Sequence, residues 1–204
     1  YQKKKLRFCA AADKKRTICC TGQKLRGIGF IEGGNGNPYK VMKLLSFAIP
    51  CYNSAAYMEK CIQSVLAGGE DVEVIIVDDG STKDETAKIA DEYAAKYPTI
   101  VKAVHQENGG HGQAVNTGLA HATGKYFKVV DSDDWVDLKS YRRVLATLKK
   151  FDEAEEPDMV IANYVYEKVG AKRKKVIHYD NVFPEETLFT WNDIGHFKMD
   201  QYIL

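Results

Sequence analysis

No stretch of this chain is apolar for long enough to cross a bilayer. The longest run without a charge, residues 44–58, is interrupted by Pro50, Asn53 and Ser54, whereas a spanning helix needs about 20 consecutive apolar residues. The apolar segment of a secretion signal is missing near Tyr1 as well. Cysteine is scarce and odd in number. Cys9, Cys19, Cys20, Cys51 and Cys61 form no Cys-x-x-Cys or zinc spacing, which speaks against a disulfide framework and for a reduced, cytoplasmic setting. Two glycine loops are also lacking, the Gly-x-Gly-x-x-Gly of dinucleotide-binding folds and the Gly-x-x-x-x-Gly-Lys-Ser/Thr of nucleoside triphosphatases. The first strand of the body runs instead into Pro50-Cys51-Tyr52-Asn53-Ser54, which has no glycine to bring backbone amides around a phosphate.

What is present is a globular composition: 204 residues, 45% hydrophobic, enough for one sizeable core. The formal charge of +1 hides an asymmetry. Residues 1–41 carry ten Lys/Arg against two acids, which leaves 19 against 26 in the remainder. A basic front end is more often a solvated tail than a nucleic-acid contact, and nucleic acid is not expected as a partner. Periodicity is short-lived there, and Gly33-Gly34-Asn35-Gly36-Asn37-Pro38 interrupts any structure before Met42. Residues 1–41 are therefore expected to be a basic leader, disordered or not native to the fold.

From Met42 onward the chain alternates. Strands are expected at 42–50, 72–77, 100–105 and 126–130, and helices at 55–67, from Thr82 to Tyr97, at 113–122 and from Leu138 to Phe151. Thr82 and Glu85 have the spacing of a capping box. Residues 159–169 and 174–179 read as a hairpin. Four strand–helix repeats imply an α/β fold, a mostly parallel sheet with right-handed crossovers and helices on both faces. Ligands of such sheets sit beyond the carboxyl ends of the strands. Those ends are unusually polar here: Pro50 to Asn53, Asp78-Asp79-Gly80-Ser81, Gln106 to Gly112, and Asp131-Ser132-Asp133-Asp134.

The last of these is the chemical centre of the sequence. If the chain stayed extended, Asp131 and Asp133 would share a face, and two like charges about 4 Å apart repel by roughly 4 kcal/mol at an effective dielectric near 20. A hard divalent ion, Mg²⁺ or Mn²⁺, relieves that repulsion and keeps positions for phosphate oxygens. The same four residues also suit a turn and a helix cap. Their company at neighbouring strand ends favours the ligand reading. Tyr52 and Asp79 suit stacking on a base and accepting hydrogen bonds from it or from ribose, which points to a nucleoside diphosphate derivative.

Ser-Phe-Ala-Ile-Pro-Cys-Tyr-Asn-Ser at 46–54, Val-Ile-Ile-Val-Asp-Asp-Gly-Ser-Thr at 74–82, Glu-Asn-Gly-Gly-His-Gly-Gln-Ala-Val-Asn-Thr-Gly at 107–118 and Val-Val-Asp-Ser-Asp-Asp-Trp at 129–135 together resemble glycosyltransferase family 2. Each motif is weak alone, and the four in order are specific. The resemblance covers roughly 42–151 well. It implies a GT-A fold, a sugar nucleotide donor, a divalent metal held at an Asp-x-Asp motif, and inversion at the anomeric carbon. Carried over by motif, Pro50, Cys51, Tyr52, Asn53, Asp79, Asn108, Gly112 and Asp131 are the nucleotide-binding positions, and Asp131, Asp133 and Asp134 the metal positions. The sequence departs from the family pattern at Val115, where many members carry an arginine before the asparagine matched by Asn116.

The resulting expectation is an inverting glycosyltransferase moving a sugar from a nucleoside diphosphate sugar, UDP-type, to a glycan or lipid-linked acceptor in cell-wall or polysaccharide synthesis. Its placement would be cytoplasmic, with peripheral membrane association an option. Residues 42–151 form the donor part and 152–204 a truncated start of the acceptor part, with the general base expected beyond Leu204. Asp180, Glu185, Glu186, Asp193 and Asp200 are the weaker candidates within the chain. The alternatives are a non-catalytic nucleotide-sugar-binding fragment and a sugar nucleotidyltransferase, the latter disfavoured by the glycine-free first turn.

Overall fold

The computed structural model describes residues 42–151, 157–168, 175–179, 183 and 189, together with two leader segments, 4–8 and 23–24, described by backbone alone. In chain order the elements are β1 (Lys4–Phe8), β2 (Gln23–Lys24), β3 (Leu45–Cys51), α1 (Met58–Leu66), β4 (Val72–Asp79), α2 (Thr86–Lys96), β5 (Val101–Gln106), α3 (His111–His121), β6 (Tyr126–Val129), β7 (Trp135–Val136), α4 (Leu138–Leu148), β8 (Tyr164–Lys168) and β9 (Lys175–Ile177). The leader thus contributes two strands where no lasting periodicity was expected. β1 lies between β7 and β8, and β2 forms an antiparallel edge on β6. The expected hairpin is present as antiparallel β8 and β9.

The main sheet has the order β2-β6-β3-β4-β5, and its three pairings from β6 to β5 are parallel. After β5 the chain crosses back over the sheet through α3 to place β6 on the far side of β3. The strand order therefore reverses between β3 and β6, and a crevice opens at such a switch point.

Alternation along β3 and β4 separates two cores. Phe47, Ile49, Val74 and Ile76 pack with Met58, Ile62 and Val65 of α1 and with Tyr141, Val144 and Leu148 of α4. Ala48, Ile75 and Val77 face the other way, against Ala114 of α3, Ala122 and Phe127. All eight residues of β4 are buried, and burial on both faces accounts for its apolar run from Val74 to Val77. Truncating Ile75 or Ile76 to Ala would open a cavity in a different layer in each case, at about 2–5 kcal/mol. α3 lies unusually close to the sheet: a Cβ added at Gly118 would stand 2.5 Å from the Cβ of Ala48.

Helix ends depart from the expectation where distant side chains intervene. α2 begins at Thr86 and not near Thr82, because the amides of Thr82 and Lys83 donate to Asn53 Oδ1. No capping box forms. Asp84 ties down the first residue of the helix instead, accepting from the Thr86 amide at 3.1 Å and from Thr86 Oγ1 at 2.6 Å. α4 starts as a helix should, with Asp137 accepting from Ser140 N, and is held by Tyr141, whose ring meets Phe47 edge-on and whose hydroxyl donates to Val65 O. Among the described residues no helix is long and apolar enough to cross a membrane.

Candidate active site

Beyond the carboxyl ends of β3, β4, β5 and β6 lies an open cleft of about 480 Å³. Of the positions singled out in the sequence, Pro50, Cys51, Tyr52, Asp79, Asn108, Asp131 and Asp133 line it. Ser54, Tyr57, Gly110, His111, Ala114 and Ser132 complete the wall. Tyr57 and Ser54 escaped notice as cleft residues because the first helix was expected to include Tyr57. The amides of Tyr57 and Met58 instead donate to Ser54 O, a turn that delays α1 to Met58 and leaves Tyr57 at the cleft.

The loops around the cleft are stitched to one another. Asn53 has a positive φ of 48°, a conformation Asn tolerates better than most residues. Its amide donates to Ser81 Oγ at 2.9 Å while its side chain caps the amides of Thr82 and Lys83. Asn53 is outside the cleft lining, so its observed work is joining the loops after β3 and β4 rather than touching the cleft. Ser54 Oγ accepts from Tyr52 N and lies 3.0 Å from Ser132 Oγ, which ties the loop after β3 to that after β6. Burial, and then the nearby carboxylates of Asp78 and Asp84, push the Cys51 thiol up to about 12, so it remains a protonated thiol at neutral pH.

Asp79 is buried and organises the loop after β5. Its Oδ1 accepts from Gln106 Nε2 at 2.7 Å and Gly109 N at 2.8 Å, and its Oδ2 from Gly110 N at 2.8 Å. A carboxylate has about four lone-pair sites, so roughly one is left for a ligand. Gly80 follows with φ 70°, and a Cβ there would stand 2.8 Å from Asn108 N. Only glycine permits both the turn and this approach. Asp78 closes the turn by accepting from Ser81 N, and its other oxygen meets His105 Nδ1 at 3.1 Å, while His105 Nε2 meets Asp91 at 2.9 Å.

The acids after β6 do not lie on an extended strand. β6 ends at Val129, and a turn closed by Asp134 N donating to Asp131 O follows it. Asp131 and Asp133 reach the cleft, whereas Asp134 is buried outside its lining. Gly112 also lies outside the lining, in the first turn of α3. Asp131 Oδ1 is 2.9 Å from His111 Nε2, and Asp133 has no hydrogen-bond partner among the described residues. Among the described residues no three His, Cys, Asp or Glu side chains gather into a metal cage. Trp135 is buried, with Lys60 Nζ 3.2 Å from its ring centroid, and serves packing. The base candidates Asp180, Glu185, Glu186, Asp193 and Asp200 lie outside the described residues.

Residues 46–204 match the family model described as glycosyl transferase family 2. The uncharacterized glycosyltransferase EpsJ of Bacillus subtilis (strain 168) is 34% identical over 67% of this chain and 38% of its own length. Chondroitin synthase of Escherichia coli is 38% identical over 54% of this chain and 16% of its own length. A crystal structure of S. aureus TarS 1-349 in complex with UDP aligns at 29% identity with a TM-score of 0.47, over 52% of this chain and 32% of that chain. The chain thus spans well under half the length of these relatives. With a match across most of its length and the four strand-end motifs converging on one cleft, the chain belongs to glycosyl transferase family 2.

Proposed function

We propose that this chain binds a nucleoside diphosphate sugar of the uridine type in the cleft and transfers the sugar, with inversion, to a glycan or lipid-linked acceptor. The observation that carries the reading is the charge of the cleft. Asp79, Asp131 and Asp133 line it, and no Lys or Arg does among the described residues. A diphosphate adds negative charge to a negative space, at a cost of about 4 kcal/mol for each like pair 4 Å apart at an effective dielectric near 20. Binding therefore calls for a cation.

The donor set fits a hard divalent ion, Mg²⁺ or Mn²⁺, without a protein cage. Such ions commonly take one or two carboxylates and fill their remaining positions with water and substrate phosphate oxygens. Asp131 and Asp133, in an Asp-x-Asp arrangement, would hold it, and the buried Asp134 is not part of that set. When bound, the ion would supply Lewis-acid stabilisation to the departing nucleoside diphosphate.

The other tasks fall to the chain itself. Tyr52, 47% exposed at the cleft, offers a ring face to a base. Asp79 can accept from base or ribose through its remaining lone pair while it holds the Asn108–Gly110 loop beside the donor. Transfer with inversion needs a general base on the opposite face of the sugar, worth about 10²- to 10⁴-fold in rate. That base is sought outside the described residues. The relationship to a chondroitin synthase supports a glycan as acceptor. The free thiols of Cys51 and Cys61 suit a cytoplasmic, reducing placement.

The test is to incubate the chain with a panel of nucleoside diphosphate sugars and Mn²⁺, follow nucleotide release, and titrate the nucleotides calorimetrically. Metal-dependent binding with slow donor hydrolysis is expected. Failure of every nucleoside diphosphate to bind with Mn²⁺ present would sink the reading.

A further inference from the structure

The loop from Asn108 to His111 touches both ends of the cleft. At one end Asp79 takes the amides of Gly109 and Gly110, fixing the backbone immediately before α3. At the other, the first residue of α3, His111, brings its Nε2 to 2.9 Å from Asp131 Oδ1. Both members of that contact line the cleft, and among the described residues His111 is the only side chain of its lining able to carry positive charge. Toward an ionised carboxylate the imidazole Nε2 is the donor, so Asp131 has one oxygen engaged and the other directed elsewhere.

We infer that His111 is a positioning residue for the diphosphate end of the cleft: it orients Asp131 so that the second oxygen faces the cation and the phosphates. The inference rests on the nucleotide-sugar reading given above. Three features set this contact apart from an ordinary surface pair. The histidine is held by a backbone that Asp79 has already fixed, so little freedom is lost when the contact forms. It stands at an N-cap glycine with φ 84°, around which a Cβ would meet nothing within 4 Å, so ligand atoms have room beside it. Its neighbour Asp133 has no hydrogen-bond partner among the described residues, so of the two cleft acids only Asp131 has its direction set in advance. Removing a group that orients a metal-binding side chain typically costs about 10- to 100-fold in metal affinity.

The experiment compares the full chain with its His111→Ala and His111→Gln variants, titrating uridine, UDP and UDP with Mn²⁺ by calorimetry and recording thermal unfolding of each. His111→Ala is expected to leave uridine affinity unchanged and to weaken Mn²⁺-dependent UDP binding by about tenfold or more. His111→Gln, whose amide can still donate to Asp131, should recover part of the loss. Equal weakening of uridine and UDP, or a fall in unfolding temperature shared by both variants with no difference between nucleotides, would overturn the inference in favour of a merely structural loop contact. Unchanged UDP affinity in His111→Ala, with Mn²⁺-dependent binding intact in the unsubstituted chain, would overturn it too and leave the functional reading standing. Absence of Mn²⁺-dependent UDP binding in the unsubstituted chain would bring down the functional reading itself, and the role of His111 with it.

Discussion

The two ends of the parallel sheet use the same chemical group for opposite purposes. At the amino end Glu73 is 3% exposed, and its oxygens are surrounded by donors of the chain's own. It accepts from Ser46 Oγ at 2.6 Å, from Thr123 N and Thr123 Oγ1, from Gly124 N, and from Lys102 Nζ at 3.0 Å. Burial works against its charge, but the bonds from Ser46, Thr123 and Lys102 outweigh it and hold the carboxyl below its ordinary value. At the carboxyl end Asp133 stands at the cleft without a hydrogen-bond partner among the described residues, and Asp131 has only His111 on its side chain. Asp79 is intermediate, with two oxygens shared among three donors beside the cleft. Carboxylates that hold the fold have their lone pairs occupied by the protein. Asp131 and Asp133 at the cleft keep most of theirs open.

Stability measurements can break this ordering. Glu73→Ala leaves the buried amides of Thr123 and Gly124 without their acceptor and should cost about 3 kcal/mol, read as a lower denaturation midpoint. Because its pKa is depressed in the folded state, the stabilisation by Glu73 is present above the ordinary value of 4.5 and disappears as pH falls through the lower folded value. The advantage of the unsubstituted chain over Glu73→Gln should therefore shrink in acid.

Asp79→Ala should cost less, about 1–2 kcal/mol, since the amides it releases are at a half-open loop, and it should weaken nucleoside binding even without metal. A loss confined to metal-containing titrations would count against that role.

His105 sharpens the comparison from the basic side. Its pKa is raised, first by the hydrogen bond to Asp91, against a lowering by burial, and then by that to Asp78. A raised folded value means that its stabilisation is complete below the ordinary 6.5 and fades as pH rises through the folded value. The difference in unfolding temperature between the unsubstituted chain and His105→Gln should accordingly be larger at pH 5.5 than at pH 9, as buffers of roughly those values would reveal.

The smallest effect on stability is expected from Asp133→Ala, within about 0.5 kcal/mol of zero, because nothing in the described fold depends on that carboxylate. Mn²⁺-dependent nucleotide affinity should nevertheless be lost. An unchanged affinity would remove Asp133 from the metal site.

Much of the fold could be read in advance because its signals are local. The apolar run of β4, the three- and four-residue spacing in α1 and α4, and the polar strand ends all follow from which side chains must be buried nearby in sequence. The misreadings share a cause. The Thr82–Glu85 capping box does not form where Asn53, some 30 residues away, captures the Thr82 amide that the box needs, and the Lys83 amide with it. Glu73 was passed over as one charge within an apolar run, since its partners come from β3, from β5 and from the loop before β6. Propensity cannot report a partner that only the tertiary fold supplies.

The close approach of Gly118 to Ala48 makes α3 a lever with a fixed fulcrum. His111 lies two turns away toward the cleft, about 10 Å along the helix axis at 1.5 Å per residue. A methyl group introduced at Gly118 would collide with the Cβ of Ala48, and the helix would tilt away from the sheet to relieve it. The displacement would be felt farthest from the wedge, at the tip that carries His111. A survey of variants scored only by ligand binding at the cleft would therefore mark Gly118 as sensitive as the cleft itself, although its place is deep between helix and sheet.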